Sequence, residues 1–365
     1  MDEKAFAFPI IIFSMKFFIK QWFLLISLTL TACAPAPIES PLPTQTASPI
    51  LSATPTPFQP IVVTATPSPF PTPIPTETPA STPDPLLKYT ISAMRLRAYG
   101  GGVIEILEKL DEKSSFTRYK IRYPSDGLTI YGFVNIPKGE GPFPVIIAIH
   151  GNYDTSNYQL MPYSTYDADV LARRGYIVFH PNMRNFGESG KGDDLYRSGT
   201  AIDILNLVSL IKAPTLKPGE LEKAKTEKVG LWAHSMGGEI ALRVITVSNN
   251  IDATVLYAPM SGDIIKNAQM LNYTEEINTP AYLVPAISPH ASYYNITSPL
   301  KLYHGTGDTV IPVEYSRETC QMLASLGKEI NCAFYEGAKH TFNSNYTTDF
   351  EKSFFYFFKT HLLEP

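Results

Sequence analysis

Three residues in this chain are spaced for acyl transfer. Ser235 lies inside Val229-Gly230-Leu231-Trp232-Ala233-His234-Ser235-Met236-Gly237-Gly238, where an apolar run ends in a serine with small residues two places before and two places after it. A strand that turns sharply into a helix strains the serine backbone and lifts its Oγ clear of the sheet. Only small side chains fit beside such a turn, and Ala233 and Gly237 occupy those places, while Gly238 lets the next helix pack close to the strand. A serine of this kind needs a base, and the base needs an orienting carboxylate. Leu302-Tyr303-His304-Gly305-Thr306-Gly307-Asp308 and Tyr335-Glu336-Gly337-Ala338-Lys339-His340 each put a polar residue in a glycine-containing loop directly after an apolar, strand-like run. Separations of 73 and 32 residues leave room for a strand, an insertion and a strand, then for one helix and one strand. The expected roles are nucleophile for Ser235, general base and acid for His340, and tautomer fixing for Asp308, with Asp263 as the competing carboxylate. Met236, directly after the nucleophile, offers one backbone N–H for the oxyanion that forms on attack.

The elements that must hold these residues alternate from about residue 116 onward. Strands are expected at 117–123, 129–136, 145–149, 176–180, 229–233, 253–257, 300–304 and 332–335, and helices at 168–174, 199–211, 236–246, 313–326 and 348–361. Strand–helix alternation implies a mostly parallel, eight-stranded sheet flanked by helices. The first two strands, split by Ser125-Asp126-Gly127, are expected to form an antiparallel hairpin at one edge. About 40 residues, 260–298, interrupt the pattern as a small cap-like insertion. Its apolar residues either pack on the loops above the sheet or line an acyl pocket, with Tyr273, Tyr282 and Tyr293 as candidate walls.

From about Phe116 to the C-terminus the chain resembles an α/β-hydrolase, specifically the catalytic domain of the prolyl-oligopeptidase family and its dienelactone-hydrolase-like relatives. The matching stretches are Val145 to Gly151, Arg174 to Val178, Arg184 to Gly190, the segment around Ser235, His304 to Pro312, and Gly337 to His340. Where the family has arginine-glycine this chain has Arg184-Asn185. The order serine, aspartate, histidine is the α/β-hydrolase order and differs from those of chymotrypsin and subtilisin. The resemblance implies a serine hydrolase that cleaves peptide, amide or ester acyl bonds through an acyl-enzyme. It places the second oxyanion donor at Asn152 or Tyr153. Residues 86–115 are too few for the family's β-propeller, which favours a carboxylesterase of broad small-ester specificity as the alternative; an inactive surface binding module is the remote one. His150, His234 and His304, at strand ends and out of triad order, read as structural.

Composition narrows the partners. The 365 residues carry a formal charge of −4 without a basic patch, so nucleic acid is not an expected partner. No HExxH or paired metal-ligand spacing occurs among the seven histidines, and no glycine-rich phosphate loop follows a strand, so neither metal nor cofactor is expected. Small acyl esters or short peptides are the expected substrates. Residues 1–32 read as a signal peptide: Lys16 and Lys20, an apolar run, then Leu30-Thr31-Ala32-Cys33, which resembles a bacterial lipoprotein box. Residues 1–14 fit a signal poorly, so Met15 is a candidate start. Cys33 is the expected lipidation site on an envelope-anchored, extracytoplasmic protein, with an uncleaved transmembrane anchor as the other reading. Sixteen of the 32 prolines fall between positions 35 and 85, in a tract without glycine, lysine or arginine. Such a tract cannot bury a core, so 33–85 is expected to be an extended linker reaching on the order of 150 Å, or a glycosylated stalk. The catalytic domain then spans 86–365. Cys320 and Cys332 are either two packed thiols or a disulfide.

Overall fold

The computed structural model describes residues 84–155, 157–159, 165–213 and 219–364; the signal-like segment, Cys33 and the proline-rich tract lie outside them. Strands β1 (Glu105–Glu112), β2 (Phe116–Ser125), β3 (Leu128–Pro137), β4 (Phe143–Ile149), β5 (Ile177–Pro181), β6 (Ala224–His234), β7 (Ala253–Tyr257), β8 (Leu300–Gly305) and β9 (Ile330–Tyr335) form one sheet. Their order is β1-β2-β3-β5-β4-β6-β7-β8-β9. Pairing is parallel from β5 through β4 to β9 and antiparallel across β1, β2, β3 and β5. The sheet is mostly parallel, as expected, but has nine strands instead of eight. The extra strand, β1, takes the edge that the β2–β3 hairpin was expected to occupy. That hairpin turns at Asp126 (φ 51°) and Gly127 (φ 78°), the left-handed pair a two-residue hairpin loop requires.

The helices are α1 (Ile91–Leu96), α2 (Thr165–Arg173), α3 (Ser198–Lys212), α4 (Met236–Val247), α5 (Ile264–Leu271), α6 (Thr274–Ile277), α7 (Val284–Ile287), α8 (Val313–Ser325) and α9 (Ser344–Phe358). They cover both faces of the sheet, which is why its central strands are apolar at every position. Along β4, Val145, Ile147 and Ile149 join a core with residues of α1, α3, α4 and α8, whereas Ile146 and Ala148 join a second core with α2 and the phenylalanines of α9. The period of two along a strand thus splits one buried run between two layers.

The insertion folds as α5, α6, α7 and a 3-10 segment, Pro289–Asn295. Buried charge ties it to the body. Arg197 pairs with Glu239 of α4 at 2.6 Å and with Glu276 of α6 at 2.7 Å, all three side chains being nearly inaccessible. Tyr196 and Arg197 hold left-handed backbone (φ 57° and 53°) in the turn that delivers this guanidinium. Arg184 makes a similar clamp, donating to Asp203 from its backbone N–H and its guanidinium. Its neighbour Asn185, where the resemblance calls for glycine, sits at φ 70°, a conformation asparagine tolerates better than most residues.

Candidate active site

Ser235 joins β6 to α4 at φ 59° and ψ −121°, a strained backbone for a residue with a Cβ. Its surroundings hold it there. The Ser235 N–H donates to the Tyr257 carbonyl at 3.0 Å, and its own carbonyl accepts from Gly238 at 2.9 Å and from Met260 at 3.0 Å. A Cβ on Gly237 would fall 2.4 Å from the Ile149 carbonyl oxygen, so glycine here lets α4 start against the end of β4. A Cβ on Gly151 would fall 3.1 Å from that of Ser235, which brings the loop after β4 alongside the serine. Among the described residues, the N–H groups of Met236 and Asn152 have no acceptor. Both residues flank the serine, as an oxyanion pair must.

Asp308 and His340, in the loops after β8 and β9, meet directly: His340 Nδ1 lies 2.7 Å from Asp308 Oδ2. The contact assigns the Nδ1–H tautomer and leaves Nε2 free to act as a base. Oδ1 of Asp308 accepts from the N–H groups of Val310 and Ile311 at 2.8 and 3.0 Å. Burial pushes this carboxyl up, but hydrogen bonds from His304, His340 and the two amides outweigh it and hold the pKa well below the ordinary carboxylate range. Ser235 and His340 line one cleft of about 430 Å³ together with Gly151, Asn152 and Tyr153. They make no hydrogen bond to each other here; such contacts commonly tighten only when substrate binds.

Two histidines expected to be structural touch this machinery. His304 Nε2 lies 3.0 Å from Asp308 Oδ2 and 3.1 Å from the Ile311 carbonyl, while its Nδ1 lies 2.6 Å from Ser316 Oγ on α8. With two acceptors before it, Nε2 carries the proton, and the Asp308 carboxylate receives two imidazole donors. His304 lies near the end of β8, four residues before Asp308, and nothing in that spacing alone separates a donor from a packed strand-end histidine. His234 packs tilted against His340, ring centres 4.7 Å apart, and donates from Nε2 to the His340 carbonyl at 3.2 Å. Burial, reinforced by His340, pushes its pKa down to about 3, so it stays uncharged. His150 is fully buried, its ring nitrogens 2.7 and 2.9 Å from the Gly151 and Asn182 carbonyls.

Two expectations need correction. Asp263 does not compete with Asp308: it caps α5, its Oδ1 accepting from Ile265 at 2.9 Å. The insertion does line the cleft, but through Met260, Met270 and Leu271 facing Val310 and Ile311. Tyr273, Tyr282 and Tyr293 are not among the walls. Tyr282 is exposed and donates to Asp84, Tyr273 is exposed with its ring beside the Arg197 guanidinium, and Tyr293 is buried in the core against Gly262. The question left open for Cys320 and Cys332 is answered by a disulfide joining α8 to β9.

A nine-stranded, mostly parallel sheet with a serine at a strained strand–helix turn, an acid after β8 and a histidine after β9 defines an α/β-hydrolase. The Dienelactone hydrolase family model matches residues 130–353, and the chain belongs to that family. It is a hydrolase with serine at the elbow. Sequence relatives include an uncharacterized peptidase, YuxL, of Bacillus subtilis, 24% identical over 251 residues that cover 60% of this chain and 35% of the relative. Another is the Escherichia coli esterase YjfP, 26% identical over 217 residues, 54% of this chain and 83% of that one. Among solved structures, Pyrococcus horikoshii acylaminoacyl peptidase superposes with a TM-score of 0.57 at 23% identity, over 69% of this chain and 42% of that one. Acetyl xylan esterase 1 from Thermoanaerobacterium gives 0.54 at 15%, over 73% and 89%. The chain therefore spans about a third of the Bacillus relative and under half of the Pyrococcus peptidase.

Proposed function

We propose that the chain is a serine hydrolase that cleaves small to medium acyl esters and short peptide or amide bonds through an acyl-enzyme. The observation that carries this reading is the hydrogen-bonded Asp308–His340 pair opening onto the cleft that holds Ser235. In the proposed reaction His340 Nε2 takes the Ser235 proton as Oγ adds to the acyl carbonyl. The oxyanion falls to the N–H of Met236 and that of Asn152 or Tyr153, each such donor contributing about 3 kcal/mol to the transition state. His340 returns the proton to the departing alcohol or amine, and water then releases the acyl group by the same steps in reverse. Met260, Met270, Leu271, Val310 and Ile311 supply an apolar wall for the acyl side. An apolar wall separates substrates by only about 1–3 kcal/mol per methylene, so broad acyl preference is expected. Labelling by a fluorophosphonate probe, mapped by peptide mass to Ser235, followed by a panel of small esters and aminoacyl amides, tests the reading. Labelling elsewhere, or none, would sink it.

We also infer that the domain works outside the cytoplasm, held to a membrane by acyl chains on Cys33. Support comes from the signal-like segment, the proline-rich tract and the Cys320–Cys332 bridge, since disulfides persist in oxidising compartments.

A further inference from the structure

The cleft around Ser235 has a neighbour behind His234. A recess of about 310 Å³ shares Tyr153, His234 and Thr341 with the cleft, so the two open onto the same three side chains. The rest of its wall is aromatic and acidic. Tyr257, Phe342 and Phe350 interlock with ring centres 4.7 to 5.2 Å apart, forming a stiff apolar floor. Tyr166, Asp167 and Glu351 close the other side.

The charges of this wall are unbalanced. Among the described residues no lysine or arginine lines the recess, and His234, the base that does, is kept neutral by burial and by His340. Glu351 accepts from the Tyr166 hydroxyl at 2.9 Å. Asp167, in the first turn of α2, has no hydrogen bond or ion pair with any described residue. Burial, with Glu351 nearby, pushes its pKa up to about 7: the carboxylate is desolvated with no compensating donor among the described residues. Aromatic faces beside unneutralised carboxylates attract cations, the ring quadrupoles and the negative charges acting together.

We propose that this recess is a second substrate subsite that takes a positively charged ammonium group, a protonated amine or a quaternary ammonium, carried by the ester or amide whose carbonyl lies at Ser235. The proposal rests on the serine-hydrolase reading. It narrows the substrate class from acyl compounds at large to cationic ones. The ammonium enters past Tyr153 and His234, its positive charge meets Asp167 and Glu351, and its carbon substituents lie on Tyr257, Phe342 and Phe350. Asp167 faces Glu351 of α9, Tyr257 at the end of β7, His234 at the end of β6 and Tyr166 of its own helix. Asp167 gains its negative charge between pH 5 and 8 while His234 stays neutral, so the preference for cations rises across that range.

Isosteric substrate pairs test it. Choline esters are compared with 3,3-dimethylbutyl esters of the same acid, which places the charge in the leaving group. N-acetyl-lysine and N-acetyl-norleucine 4-nitroanilides place it on the acyl side. The expected result is a kcat/KM ratio of cationic to neutral member of about tenfold in one arm at pH 8. That ratio falls toward one at pH 5.5 and in both Asp167→Asn and Glu351→Gln. A ratio near one in both arms, from wild-type protein that hydrolyses the neutral esters, overturns the subsite and leaves the hydrolase reading intact. So does a preference unchanged in both variants. Saturation-transfer NMR of tetramethylammonium reads the recess without catalysis: binding by wild type and its loss in Asp167→Asn support the subsite even if every ester is refused. Absence of binding to wild type overturns it.

Discussion

Asp308 is the most heavily bonded side chain of the candidate site, with two imidazole donors on one oxygen and two amide donors on the other. Its carboxyl titrates below the ordinary range, so the stability it contributes is present above pH 4 or so and is lost only as pH falls further. Through the working range it stays ionised. Replacing it with asparagine puts an amide N–H opposite His340 and favours the wrong tautomer; Asp308→Asn is expected to lose about 10⁴ in kcat. Asp263→Asn removes little, since asparagine also caps helices, and turnover is expected to stay near wild type. Side-by-side kinetics of the two variants check both statements, and exchanged phenotypes would move the acid to Asp263. Ser235→Ala is expected to lose on the order of 10⁶ in kcat, and retention within about tenfold of wild type would dismiss Ser235 as nucleophile. All three positions are legible in the sequence because each lies in the turn or glycine-containing loop that follows an apolar run. The second imidazole on Asp308 is not, because a histidine at a strand end reads the same whether it packs or donates. The cleft wall was misread for a related reason. Neither residue type nor spacing tells which way a tyrosine points within an irregular insertion.

At the scale of elements, the β8–β9 half of the sheet carries both the acid and the base, and the Cys320–Cys332 bridge pins α8 to β9 inside it. Closing so short a loop removes about 2–3 kcal/mol of unfolded-state freedom. The Cys320→Ser/Cys332→Ser double variant is accordingly expected to be less stable by that amount in denaturant unfolding, with a lower midpoint and an equal or larger m-value. A midpoint equal to wild type would show that the bridge does not stabilise the fold. The five anticipated helices and the eight anticipated strands were legible from apolar runs and their flanking turns, with ends displaced by a few residues. β1 was not, because Glu105-Ile106-Leu107-Glu108-Lys109-Leu110-Asp111-Glu112 is rich in charge and lacks clean alternation. Its pairing with β2 is irregular, shifting register twice. The short helices of the insertion escaped notice because none is long enough to establish a period; α6 and α7 have four residues each.

Across the whole molecule, burial raises the pKa of both Asp167 and Asp194 to about 7. For a carboxyl raised on folding, the stabilising proton is held below the unfolded value near 4, and that stability is lost as pH rises through 7. Melting temperature is therefore expected to fall between pH 5 and 8. Asp167→Asn should gain on wild type at pH 8 relative to pH 5, and parallel curves for the two proteins would contradict the assignment. Attachment is tested at the other end of the chain, outside the described residues. Cys33→Ser is expected to release the protein from the membrane fraction or leave it unprocessed, because a single remaining signal does not anchor stably. An unchanged membrane fraction would favour a helical anchor instead.

The two margins of the sheet are unlike. β9 is a half-buried strand beside the bridged cysteines, whereas β1 presents Glu105, Glu108, Lys109, Asp111 and Glu112 along a bulged border. An open strand border offers its backbone to any copy that arrives in register, and irregular, charged borders refuse that offer. The features that hid β1 as a strand thus make it a poor template for polymerisation. Replacing them with an even run of valine and threonine would turn the same border into a seam along which neighbouring molecules could zip together.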